Sequence, residues 1–444
     1  MTDTDPKSAP KAAIIDPTYL ETGGHHVASL QVLQKALHPH RVTIYTHRHS
    51  SPEIFDVLEE VRLEFATDQH RLTNQRVKRK ASATRWRISQ AVRKLSGKPG
   101  DVLDGTCYVR ELETLFDRYG PMDHLVFPTT RADILASVLN VATRRRVQDL
   151  PHLHMRVLEF STPPDLSLAI QNYGDLARLA AASDRVRIYT ETDALRRHLS
   201  ESYGIDHIGS AILQPPVSNS APGRKVPTGT IKIGYVGGRL RRDKGYYRLP
   251  KIVSETIRRI ADTPLEDRVR FVVQLSNQEE SETLRQNLIA LPGVSEDRLQ
   301  FVTDDLDLQQ FSSLIASCDA ILLPYSADRK EMFVGSGILI DAVINGVPAI
   351  CAPNDALTEF LTDENGAVAD SDEAFAEAIV TIASDIETYK ANAARASLKL
   401  VDAWCTNDLV TTVRQGLQTA PTHAQGVHRH ERPRGQDQAP EAHT

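Results

Sequence analysis

The sequence predicts an α/β fold of two Rossmann-like domains facing each other across a cleft. Short apolar runs alternate with helical patterns, a stretch rich in Pro, Ser, Gly and Thr interrupts that alternation, and the alternation then restarts. At roughly 100–200 residues per domain, 444 residues leave room for two such units.

In the first half, residues 11–16 form an apolar run halted by Pro17, as expected of a buried strand. Val27, Leu30, Leu33 and Leu37 follow at helical spacing. Further strands are expected within 41–47, 124–130, 155–160 and 185–190, with helical patterns between them, which together predict a parallel sheet covered on both faces. Residues 215–230 have linker composition. Beyond them, 231–238 reads as strand and turn, and 249–262 as a helix with Ile252, Val253, Ile257 and Ile260 on one face. Four more strands are expected within 269–276, 297–303, 320–326 and 347–353, and a long helical stretch, 372–418, closes the half. The expected organisation is a first domain at 11–214, a linker at 215–230, a second domain at 231–418 and a disordered tail at 419–444 with almost no large apolar residue. His423, His428 and His430 in that tail read as solvated polar residues and not as a metal site.

Composition narrows the function classes. Hydrophobic and charged fractions of 41% and 25% are those of an ordinary globular chain with a sizeable core. A net charge of −6 argues against a general nucleic-acid binder. Cys107, Cys318, Cys351 and Cys405 are widely spaced without a CxxC pair, so neither a disulfide framework nor a zinc site is indicated. No run of about 18 apolar residues is present, and the first residues lack the apolar core of a signal peptide. The expected location is cytoplasmic.

The sharpest chemical signal is residues 237–245, Gly237-Gly238-Arg239-Leu240-Arg241-Arg242-Asp243-Lys244-Gly245, between an apolar strand and a helix. Glycines there admit a ligand close to the backbone. Arg239 offers a planar fork for phosphate oxygens, and Lys244 a mobile point charge. Against a dinucleotide fingerprint, the glycine spacing is GxxGG, and Glu255 lies inside a helical pattern and not at a strand end. The second signal is Gly335-Ser336-Gly337, which opens a helix ended by Asn345-Gly346. Free N–H groups at that start make an anion site, and Asp341, one turn in, can accept hydrogen bonds from ribose hydroxyls. The letters D-x-D occur within Asp304-Asp305-Leu306-Asp307, where a solvated turn is expected.

Together the two signals resemble the family-4 retaining glycosyltransferases of GT-B fold. Gly238, Arg239, Lys244 and Gly245 match that family's G-R-x-x-x-x-K-G, Asp341-Ala342 stands at the second Glu-Ala of its E-x7-E pattern, and Gly346-Val347-Pro348 matches its G-x-P. Pro324-Tyr325 and Ser336-Gly337 look like those of a bacterial polysaccharide-type subgroup. Two departures stand out: Phe333 replaces the first acid, and Asp341 is one methylene shorter than Glu. The resemblance implies sugar transfer, with retention, from a nucleoside diphosphate sugar to a hydroxyl acceptor. It implies Arg239 and Lys244 as catalytic cations, Gly238, Gly335, Ser336, Gly337, Asp341 and Gly24 as donor-binding residues, and neither metal nor resident cofactor. His25, His26, Thr130 and Arg131, at expected strand ends of the first half, are candidates for acceptor contact. Surface or exopolysaccharide assembly is the usual setting of similar proteins, and from it a lipid-linked acceptor is expected. A sugar-nucleotide epimerase of the same fold and a non-catalytic nucleotide-sugar-binding partner in a polysaccharide assembly complex stay open as alternatives.

Residues 69–100 carry no acid and ten cations, among them Lys78, Arg79 and Lys80, with Val77, Ala81, Ile88, Val92 and Leu95 near helical spacing. A basic amphipathic helix reads as a contact with an anionic membrane surface, each cation adding about 1 kcal/mol, so a peripheral position at the inner face of the membrane is expected.

Overall fold

The computed structural model describes residues 10–18, 25–66, 108–158, 166–213, 229–237, 240–275, 279–304, 306–326, 333, 335–405 and 407–418. The basic stretch 69–100, most of the linker and the tail 419–444 lie outside the described residues.

Two parallel sheets organise the chain. The first contains β1 (Ala12–Asp16), β2 (Val42–His47), β3 (Val61–Phe65), β4 (His124–Thr130), β5 (His152–Val157), β6 (Val186–Thr190) and β7 (Gly209–Ser210). Their order is β3-β2-β1-β4-β5-β6-β7, and every pairing is parallel. The second contains β8 (Ile231–Tyr235), β9 (Val269–Gln274), β10 (Leu299–Val302), β11 (Ala320–Leu323), β12 (Ala349–Cys351) and β13 (Gly366–Val368). It runs β10-β9-β8-β11-β12-β13, again all parallel. Both faces are covered, as parallel sheets require. Along β1, Ala13 and Ile15 enter one apolar cluster while Ala12 and Ile14 enter another, the alternation of a strand buried on both sides.

Three differences from the sequence expectation have physical causes. The strand expected within 155–160 starts earlier, at His152, because His152 and His154 give its opening a polar look. The edge strands β3, β7 and β13 carry little periodic signal: β3 buries only Phe65 fully, and β7 is two residues long. The stretch 372–418 is three helices, Asp372–Ser384, Ile386–Cys405 and Asp408–Gln418. The last returns to the first sheet, placing Leu409, Val410, Val413 and Leu417 against Ala12, Ile14 and Leu30. Asp408 accepts a 2.7 Å hydrogen bond from the Ser210 N–H beside β7.

A buried polar chain lies under that returning helix. His124 Nδ1 is 3.0 Å from His154 Nε2, and His154 Nδ1 is 3.0 Å from the Tyr189 hydroxyl. Burial, and then the positive neighbourhood of His152 and Arg187, pulls His124 down to about 4, and burial, followed by His124 and His152, holds His154 well below its ordinary range. Both rings are therefore neutral in the folded protein near pH 7. Unfolding lets them protonate near their ordinary value of about 6.5. The unfolded state then binds more protons as pH falls from about 6.5 toward 4, and stability is lost across that window. His124→Asn with His154→Gln is expected to flatten the fall of melting temperature between pH 6.5 and 4.5. A slope equal to the wild type's contradicts this account.

Candidate functional site

Strand order reverses between β1 and β4 in one sheet and between β8 and β11 in the other. Ligands of open α/β sheets collect beyond the carboxyl ends of strands at such points. The chain leaving β8 runs into residues 236–248, and the chain leaving β11 into 324–337. The chain leaving β1 runs to the His25–Leu37 helix, and the chain leaving β4 to Arg131, the N-cap of the Ala132–Ala142 helix. Four of the sequence's candidate segments thus fall at the two reversal points.

The β8 loop is locked in place by the β11 loop. Gly245 has φ of 74°, and a Cβ there would overlap the Pro324 carbonyl oxygen, so only glycine fits the turn. The Ser326 N–H donates to the Asp243 carbonyl at 3.0 Å, and the Arg248 N–H to the Gly245 carbonyl at 3.0 Å. Arg248 also donates from Nη1 to Pro324 O at 3.3 Å and pairs through Nε with Asp372 at 2.6 Å. This seat aims Lys244 back at the strand end: its ammonium lies 3.5 Å from where a Cβ on Gly237 would stand. The same point on Gly237 is 2.6 Å from Ile338 Cδ1, in the first turn of the Gly337–Ile344 helix, while the Gly237 N–H donates to Gln274 Oε1 at 2.9 Å. Lys244, the glycine turn and the helix start therefore share one neighbourhood.

The helix start is built as its sequence suggests. Ser336 is the N-cap; its Oγ accepts from the Leu339 N–H at 3.4 Å and lies 2.8 Å from the buried Tyr325 hydroxyl. Asn345 caps the far end, followed by Gly346. Asp341 is buried on this helix, and burial, with Glu191 as a second and like-charged cause, pushes its carboxyl up to about 7. The letters around Asp307 form a capping box with Gln310, and Glu255 pairs with Arg258 on its own helix, so neither belongs to the site.

The other expected residues fare differently. Thr130 is buried and donates from Oγ1 to the Phe127 carbonyl at 3.2 Å, which commits its side chain inside the first domain. Arg131 is partly buried at its helix start. Gly24, Gly238 and Arg239 lie outside the described residues, as do the side chains of His25 and His26, whose backbone opens the first helix. Phe333 turns toward the first domain: its ring stacks on His198 at 4.1 Å with planes 8° apart, and its carbonyl accepts from Thr192 Oγ1 at 2.6 Å. Arg156 and Glu191, paired at 2.5 Å beside this contact, had no motif to flag them. The available signal was a lone arginine inside an apolar strand.

These facing parallel sheets define the GT-B fold. No protein-family model matches the chain, and no curated protein matches it in sequence. Among solved structures, HepE from Anabaena in complex with UDP is 15% identical, covering 91% of this chain and 98% of its own at a TM-score of 0.59. The sucrose-phosphate synthase of Thermosynechococcus elongatus is 14% identical, with 91% and 98% covered and a TM-score of 0.59. A UDP-forming α,α-trehalose-phosphate synthase from Burkholderia xenovorans is 13% identical, with 92% and 99% covered and a TM-score of 0.60.

Gly245→Ala forces a left-handed backbone on a side chain and drives a methyl into Pro324 O. The conformational part alone costs about 1–2 kcal/mol. Urea unfolding is expected to show a loss of at least about 2 kcal/mol with the clash added. Unchanged stability contradicts the described turn.

Proposed function

We propose that the chain is a retaining glycosyltransferase of the family-4 kind, moving a sugar from a nucleoside diphosphate sugar to a hydroxyl acceptor. The observation that carries this reading is the meeting of Lys244 with the Gly337–Ile344 helix start at the β8/β11 reversal point. Breaking the glycosidic bond of such a donor leaves negative charge on the departing diphosphate. Lys244, Arg239 and the N–H groups of the helix start supply fixed positive charge where that charge develops. Asp341, with its carboxyl raised to about 7 by burial, accepts hydrogen bonds from donor hydroxyls. The resemblance implies that the two cations and the helix start take the place of a metal at the leaving diphosphate. The binding of UDP by HepE supports a nucleotide ligand for this fold.

On the facing domain, His25, His26 and Arg131, which follow β1 and β4 in the chain, are assigned to the acceptor side, with Thr130 as a buried support, and Gly24 is assigned to the donor. The acceptor is taken as lipid-linked, in surface or exopolysaccharide assembly, with residues 69–100 holding the protein at an anionic cytoplasmic membrane face. Among the described residues no helix is long and apolar enough to cross a membrane, so the attachment proposed is peripheral. A second reading, a nucleotide-sugar binder without transfer, is favoured by Phe333, an aromatic where the resembling family has an acid, engaged with His198.

Turnover of UDP-, GDP- and ADP-sugars tests the reading. Lys244→Ala is expected to lower kcat/KM by about 10²–10³, the range for removing one preorganised donor to a developing anion. Wild-type turnover in Arg239→Ala/Lys244→Ala contradicts the assignment, while donor binding without turnover by the unaltered protein favours the second reading. The membrane assignment predicts sedimentation with anionic vesicles at low salt, abolished by charge reversal at Lys78, Arg79 and Lys80. Undiminished sedimentation removes it.

A further inference from the structure

Arg156 is 3% exposed, and each of its side-chain nitrogens is committed. Nε donates to Ala211 O at 2.6 Å, Nη1 to Pro128 O at 3.1 Å, and Nη2 to Glu191 Oε1 at 2.5 Å. One guanidinium thus ties together the carboxyl ends of β4 and β6 and the chain beyond β7. Burial lowers the Arg156 pKa even against the pull of Glu191, so the pair sits where water is scarce. The two bonds to carbonyls already tie those segments together, and a buried ion pair by itself often adds little stability. What the pair does is hold a carboxylate in one direction.

With Oε1 on Arg156, Glu191 aims its second oxygen at the other domain. A Cβ built on Gly335 would lie 2.8 Å from Glu191 Oε2 and 3.2 Å from Thr192 Cγ2. Gly335 immediately precedes the N-cap Ser336. On the same helix Asp341 senses the charge of Glu191. The neighbourhood of this helix start is therefore bordered by Lys244 and the helix N–H groups of the second domain and by the Glu191 carboxylate of the first. A ligand that matches it carries anionic oxygens at one end and hydroxyl donors at the other. The matching groups come from different domains, so the ligand is recognised across the cleft.

We infer that Glu191, positioned by Arg156, is a specificity-determining residue whose Oε2 accepts hydrogen bonds from hydroxyls of the donor's sugar. The inference rests on the nucleotide-sugar reading above and assigns the sugar end of that site to the first domain. Calorimetric titration with UDP, GDP, ADP and their glucose conjugates separates the two. Glu191→Gln is expected to weaken the conjugate that wild type binds by tenfold or more and to leave the bare diphosphate within twofold. Glu191→Asp keeps the charge but withdraws the carboxylate from the Gly335 side, and is expected to reproduce the loss; it serves also if Glu191→Gln does not fold, as judged by melting. Equal weakening of diphosphate and conjugate, or no weakening of either, overturns the role of Glu191 and leaves the nucleotide-sugar reading intact. A wild type that binds none of the diphosphates or conjugates overturns that reading and the inference with it.

Discussion

One backbone contact fixes the loops at the reversal point of the second sheet: the Pro324 carbonyl occupies the space that a side chain at residue 245 would need. That contact joins the loop leaving β8 to the loop leaving β11, the two strands at the reversal of the second sheet. Arg248 donates to the same carbonyl and is anchored by Asp372, so the seat is extended to the Asp372–Ser384 helix. Once it is set, the backbone at Lys244 is fixed, and its ammonium lies 3.5 Å from where a Cβ on Gly237 would stand. In the proposed reaction, a cation held at this point would stabilise developing charge without reorganising at the moment of reaction.

The first domain is fastened to this frame along one side. Thr192 donates to the Phe333 carbonyl, and His198 stacks on the Phe333 ring. Glu359, from the loop beyond β12, accepts from the Asp193 and Ala194 N–H groups at 2.9 and 3.3 Å, at the start of the Asp193–Tyr203 helix. Burial in that contact pushes the Glu359 carboxyl up to about 7, against the lowering effect of those two hydrogen bonds. All three contacts cluster at the end of β6, beside Glu191. The fastening that joins the domains therefore also fixes the acid that faces the second domain's helix.

The apolar strands were legible because their burial leaves a period that composition reveals. β1, β4, β8, β9 and β11 each carry that mark. The start of β5 was not legible, because His152 and His154 are polar, and their partners, the stacked His124 ring and the Tyr189 hydroxyl, are ones that no local pattern announces. The glycine turn and Lys244 could be read as a phosphate seat, since the chemistry and the turn lie within nine residues. The wall opposite could not be read. Arg156 and Glu191 are 35 residues apart and meet only because β5 and β6 are neighbours. Pro324, 79 residues from Gly245, meets it only because β8 and β11 pair. Spacing rules reach one turn or one helix face, and such contacts depend on sheet order.

The central claim is that the β8/β11 reversal point holds a diphosphate, and a crystal structure of the protein with a bound nucleoside diphosphate tests it most directly. The account predicts phosphate oxygens within hydrogen-bond distance of Lys244 Nζ and of the N–H groups that open the Gly337–Ile344 helix. Phosphates seated elsewhere, with Lys244 turned away from them, would contradict it.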